Sequence, residues 1–113
     1  MSTPNGIDYI EFTTRNLEAT KTFFTTAFGW TFTDYGAEYA SFREGDIRGG
    51  FVQMDIPACG RPLVVIYTKD LKAAMKKVKA AKGQITVDLF EFPGGKRFHF
   101  VEPGGNELAV WSE

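Results

Sequence analysis

The chain has 113 residues, enough for one compact domain and too few for two ordinary ones. Hydrophobic residues at 43% and charged residues at 24% sustain a packed core and exclude a disordered chain. Thirteen basic against 14 acidic side chains give a net charge of -1, which removes the long-range field that non-specific nucleic-acid binding needs.

The opening Met1-Ser2-Thr3-Pro4-Asn5-Gly6 lacks the charged and apolar regions of a signal peptide. No apolar run approaches the roughly 18 residues of a membrane span. Ile7 to Thr14 then alternates, with Ile10 and Phe12 on one face and Tyr9, Glu11 and Thr13 on the other, as a half-covered strand does. Asn16 is a good N-cap, and Gly29 sits where a left-handed C-cap is wanted, so a helix lies between them. Short strands follow over Trp30–Tyr35, Glu38–Arg43 and about Arg48–Met54, with turns at Gly36 and Glu44-Gly45-Asp46. A linker over residues 55–62 carries Cys59, the single cysteine. It permits no internal disulfide, and a cytoplasmic location is the simplest reading.

A shift of 54 residues then repeats the pattern, pairing Thr14 with Thr68, Leu17 with Leu71, Ala19 with Ala73 and Gly29 with Gly83. Leu63–Tyr67 is apolar on both faces, as in a doubly covered strand. Asp70 caps a second helix, Gly83 is its expected left-handed terminator, and Leu71, Ala74, Met75, Val78 and Ala81 form its buried stripe. Its lysines 72, 76, 77, 79 and 82 read as a solvated surface, since no aromatic interleaving accompanies them. Strands are expected over Gln84–Phe92, Arg97–Glu102 and Glu107–Trp111. The prediction is a single α+β domain over 1–113 built from two tandem βαβββ units, 7–54 and 63–112. Their mixed sheet curls around a cavity with the helices on the outer face.

The duplicated unit, the helix entries Arg15-Asn16-Leu17-Glu18-Ala19 and Lys69-Asp70-Leu71-Lys72-Ala73, and the closing Glu102-Pro103-Gly104-Gly105-Asn106-Glu107-Leu108 resemble the vicinal oxygen chelate superfamily. That group contains glyoxalase I, bleomycin-resistance proteins, fosfomycin-resistance thiol transferases and extradiol dioxygenases. The resemblance covers essentially the whole chain. The stretch from Gly95 to Trp111 is most similar to small glyoxalase-related bacterial proteins.

The family's enzymes hold a divalent metal by four side chains that polarise two adjacent substrate oxygens. The resemblance carries those positions onto Tyr9, Gln53, Leu63 and Ala109. Leu and Ala ligate nothing, and neutral Tyr and Gln are poor ligands alone, so no metal and no cofactor are expected. A site rebuilt from His99 with Glu107 or Glu11 would have one imidazole and an unusual arrangement.

Period-2 counting turns Tyr9, Glu11 and His99 toward the cavity and sets Glu107 and Trp111 on the face of Ala109; with Gln53 and Leu63, which the resemblance carries over, these form the candidate ligand lining. His99, the only histidine, stands where the resemblance to fosfomycin-resistance enzymes implies a substrate-contacting polar group. Its structural alternative is a hydrogen-bonded imidazole between Phe98 and Phe100. His99, Glu107 and Glu11 are the candidate acids and bases, with salt bridging to Arg97 as the alternative for both carboxylates. Tyr9 and Trp111 stack on a planar ligand or pack the core.

The expected function is metal-free binding of a small apolar or planar molecule by a homodimer, in outline like the bleomycin-resistance proteins, without nucleic-acid or membrane partners. Two other readings stand beside it. One is a glyoxalase-type lyase, isomerase or thiol transferase with a rebuilt metal site or acid–base chemistry on His99 and Glu107. The other is a dimeric interaction protein whose aromatics, 15% of the chain, serve docking.

Overall fold

A computed structural model describes residues 4–55 and 62–113; Cys59 and most of the linker lie outside them. Among the described residues there are eight strands and two helices, an α+β arrangement with parallel and antiparallel pairing. The chain divides into two compact units, Tyr9–Pro62 and Met1–Asp8 with Leu63–Glu113.

The first unit takes β1 (Ile7–Thr14) from Tyr9 onward, which leads into α1 (Leu17–Phe28), followed by β2 (Thr33–Asp34), β3 (Tyr39–Glu44) and β4 (Ile47–Gln53). β1 pairs in parallel with β4, β4 antiparallel with β3, and β3 antiparallel with β2. The second unit repeats this plan. β5 (Leu63–Tyr67), α2 (Leu71–Ala80), β6 (Gln84–Phe92), β7 (Gly95–Val101) and β8 (Glu107–Ser112) give β5 parallel to β8, with β7 and β6 antiparallel beyond. The predicted repeat is therefore present element for element.

Both helix entries have the expected chemistry. Asn16 Oδ1 accepts from the Ala19 N–H at 3.0 Å, and Asp70 Oδ1 from the Ala73 N–H at 3.1 Å. Gly29 terminates α1 at φ 73°. The second terminator differs from expectation: the left-handed residue is Lys82, at φ 77°, and Gly83 follows it. Gly83 is needed for closeness instead, because a Cβ there would lie 2.6 Å from Val78 Cγ1.

The first expected strand after α1 also shrinks, from Trp30–Tyr35 to Thr33–Asp34. The backbone of Trp30 is claimed by the helix end, its N–H by the Phe24 carbonyl and its carbonyl by the Thr25 hydroxyl. Its ring stacks on Phe24 at 4.6 Å within a core of Leu17, Ala40 and Phe51. In the second unit Leu71, Phe98, Phe100 and Val110 form the core, with Ala74, Met75 and Val78 of the predicted α2 stripe packed on it. The closing turn is tied by Glu102, whose carboxylate accepts from the Gly104 and Asn106 N–H groups. Those bonds hold its carboxyl below the usual range.

Candidate functional site

Alternation along each strand separates a helix-packed face from a face turned away from the helix. In the first unit Phe12 and Phe51 belong to the helix side, so Tyr9, Glu11 and Thr13 turn away from it. The ladder sets Glu11 beside Gly50 and Gly50 beside Ser41, which brings Tyr39 onto the same face. There the Tyr9 and Tyr39 hydroxyls meet at 2.5 Å, and Tyr39 donates to Glu11 Oε2 at 3.3 Å.

Gly50 makes this meeting possible, because a Cβ there would run into both hydroxyls. Burial pushes the Tyr9 phenol up, against a lowering by the Tyr39 bond. Burial raises Tyr39 further, reinforced by its bond to Tyr9 and the Glu11 charge. The Arg48 guanidinium lies 5.9 Å from the Tyr9 ring centroid.

Gln53 does not join this face. It stands on the helix side with Phe51, and its Oε1 accepts from the Leu17 N–H at 2.9 Å. It satisfies one of the orphan donors of the first turn of α1. The family resemblance carried the lining position onto Gln53, and a one-residue slip in such an alignment reverses the face.

In the second unit Phe98 and Phe100 enter the core against α2, so Arg97, His99 and Val101 turn away from it as expected. The β7–β8 register places His99 beside Ala109, Arg97 beside Trp111 and Val101 beside Glu107. His99 Nδ1 lies 3.9 Å from Glu107 Oε2, and that oxygen accepts from the Thr86 hydroxyl at 2.8 Å. The β6 register shifts between Ile85 and Val87, at Thr86 itself. The Arg97 guanidinium lies 5.4 Å from the Phe90 centroid and 5.6 Å from that of Phe92. Trp111 is fixed by its Nε1–H donating to Asp8 Oδ2 at 2.9 Å, with Tyr67 against its ring at 5.3 Å. The Tyr67 hydroxyl donates to the Glu113 carboxylate, which raises its pKa. Leu63 and Ala109 are on this face as well and offer only hydrocarbon.

Within its own unit, then, each half gathers part of the expected set: Tyr9 with Glu11, and His99 with Glu107. Tyr39 completes the first pair, Thr86 the second, and Asp8 holds Trp111; none of the three was expected from the sequence. Alternation marks the face of Tyr39, but its meeting with Tyr9 depends on β4 lying between their strands.

The four positions of a vicinal-oxygen-chelate metal do not fit a dication. Leu63 and Ala109 have no donor atom, Gln53 Oε1 is engaged by α1, and the Tyr9 phenol is held neutral. Among the described residues no group of three or more His, Cys, Asp and Glu side chains gathers as a metal site would. Nor is any described helix long and apolar enough to cross a membrane.

Residues 6–110 match the family model described as Glyoxalase/Bleomycin resistance protein/Dioxygenase superfamily. No curated protein matches the chain. Among solved structures, methylmalonyl-CoA epimerase from Mycobacterium tuberculosis aligns with a TM-score of 0.77 at 9% identity, over 99% of this chain and 91% of that one. A superfamily member from Vibrio splendidus 12B01 gives 0.74 at 14% identity, over 93% and 97%. The Mn(II)-bound glyoxalase from Novosphingobium aromaticivorans gives 0.69 at 19% identity, covering 99% of this chain and 40% of that one. At these identities the likeness establishes the fold and leaves the activity to the site.

Proposed function

The chain belongs to the Glyoxalase/Bleomycin resistance protein/Dioxygenase superfamily, and from that membership we propose that it is a metal-free binder of a small planar or apolar molecule. The observation that carries this reading is the face of the second unit turned away from α2. Polar groups His99 and Glu107 lie 3.9 Å apart on a wall that includes Trp111, while the metal-ligand positions Leu63 and Ala109 are hydrocarbon. A few convergent polar groups on an apolar wall are what a small-molecule site presents. Tyr9 and Glu11 supply the polar groups of the first unit.

The test has two parts. Chelator-stripped protein is titrated calorimetrically with Ni²⁺, Zn²⁺, Mn²⁺ and Fe²⁺, and planar and cationic small molecules are screened by thermal shift against native protein and His99→Ala. The expected outcome is no stoichiometric metal binding and at least one ligand whose stabilisation is lost in a folded His99→Ala variant. Tight metal binding that disappears in His99→Ala would overturn the proposal.

Two other readings each have an observation of their own. Glu107 Oε2 beside His99 Nδ1 suits a base and its orienting partner, so an epimerase- or lyase-type proton transfer would run through His99. Phe23 and Phe28 on α1 are 57% and 67% exposed, which suits a homodimer or a docking role.

A further inference from the structure

Charge is unevenly spread along this chain. Residues 69–82 contain Lys69, Lys72, Lys76, Lys77, Lys79 and Lys82 against the single acidic Asp70, in a protein whose net charge is -1. Beside this segment the core of the second unit opens into a cavity of about 400 Å³. That lies within the roughly 300–1,000 Å³ of small-molecule sites. Its apolar floor is Ile66, Ala74, Val78, Phe100 and Val110, all members of the second unit's hydrophobic core or packed on it. Lys69 and Lys77 line it too and are exposed, and among the described residues neither forms an ion pair. The acidic residue in the lining, Asp70, already accepts from the Ala73 N–H.

We propose that this cavity binds a free medium-chain alkyl carboxylate, its chain on the apolar floor and its headgroup between Lys69 and Lys77. Covering the floor removes hydrocarbon from water, which favours an alkyl chain. The local excess of ammonium groups selects an anion over a neutral or cationic amphiphile. A nucleic acid would leave the apolar floor unused, and a flat bilayer surface does not match a concave one. The cavity lies against α2, on the opposite side of the sheet from His99 and Glu107, so it is a second site.

Decanoate and 1-decanol, below their aggregation concentrations, are the probes, followed by calorimetry and by backbone and methyl NMR of the full chain. Decanoate is expected to shift the Ala74 and Val78 resonances and to bind about tenfold tighter than decanol, the scale of two exposed charge contacts. The double variant Lys69→Gln/Lys77→Gln should lose that tenfold advantage, and added salt should erode it. Ala73→Trp should fill the cavity and abolish binding. If that variant fails to fold, Lys77→Glu at an exposed position gives the same discrimination. Equal affinity for decanoate and decanol would overturn the proposal, as would resonance shifts confined to the neighbourhood of His99. So would binding to phosphatidylglycerol vesicles without binding of monomeric decanoate, which would reassign α2 to a membrane surface.

Discussion

The hydroxyls of Tyr9 and Tyr39 meet 2.5 Å apart, directly over the bare Cα of Gly50. Three strands contribute one residue each to this contact, and the smallest residue sets its geometry. A glycine in a strand interior weakens the strand, so its presence here marks a place where side chains from neighbouring strands need its space.

Replacing Gly50 by Ala should therefore destabilise the protein by about 1–3 kcal/mol, since the new methyl displaces both phenols. Tyr39→Phe alone should cost about 1–2 kcal/mol by leaving Tyr9 and Glu11 with a lost partner. Combined, the two should cost less than their sum, because removing the Tyr39 hydroxyl relieves part of the clash. Urea unfolding of the full double-mutant cycle measures this coupling, and strict additivity would refute it.

The phenols also predict a pH response. Tyr9, Tyr39 and Tyr67 are all raised in the folded protein, so the stability they contribute is full below the ordinary tyrosine value of about 10 and is lost as pH climbs beyond it. Glu102 is lowered, so its contribution is present above the ordinary carboxylate value and disappears as pH falls through the folded one. Phenolate absorbance followed through alkaline titration should show delayed ionisation that becomes normal in urea. Midpoints of urea unfolding should decline on both the alkaline and the acid side.

Gln53→Ala should remove a cap from the first turn of α1, at a cost of about 1 kcal/mol. Ligand stabilisation measured in the thermal-shift screen should persist once the lower starting midpoint is subtracted. Unchanged stability with lost ligand binding would return Gln53 to the ligand-lining role the sequence suggested.

At the end of α2 two neighbouring residues should respond in opposite directions. Lys82→Gly should stabilise by up to about 1 kcal/mol, because a side chain at φ 77° is strained. Gly83→Ala should destabilise by about 1–3 kcal/mol through its contact with Val78. Thermal midpoints of the two single variants decide the matter.

The parts of the fold that were legible in the sequence depend on local chemistry. Asn16 and Asp70 sit three residues before the amides they cap, and Leu71, Ala74, Met75 and Val78 recur at helical spacing, so neighbours in sequence suffice. The face of His99 followed from Phe98 and Phe100 by simple alternation, and that of Glu107 from Ala109, a position the family resemblance carried over. Gln53 was misplaced because no aromatic anchor was used to fix the phase of β4, although Phe51 could have provided one. The shortened strand at Thr33 could not be read locally, because the groups that capture Trp30 are on α1 and in the core. Tyr39 was missed for a related reason: its partners Tyr9 and Glu11 are 30 and 28 residues away.

The N-terminal segment has a consequence for how the molecule is made. The Asn5 N–H bonds to the Tyr67 carbonyl, the Tyr67 N–H to the Gly6 carbonyl, and Asp8 to the indole of Trp111, 103 residues later. Residues synthesised earlier are thus completed by residues synthesised later. Until then Asn5, Gly6 and Asp8 lack their partners Tyr67 and Trp111, and such distant contacts carry a loop-closure cost that slows folding. Growing chains should remain protease-sensitive near Asn5 until the segment bearing Trp111 has emerged.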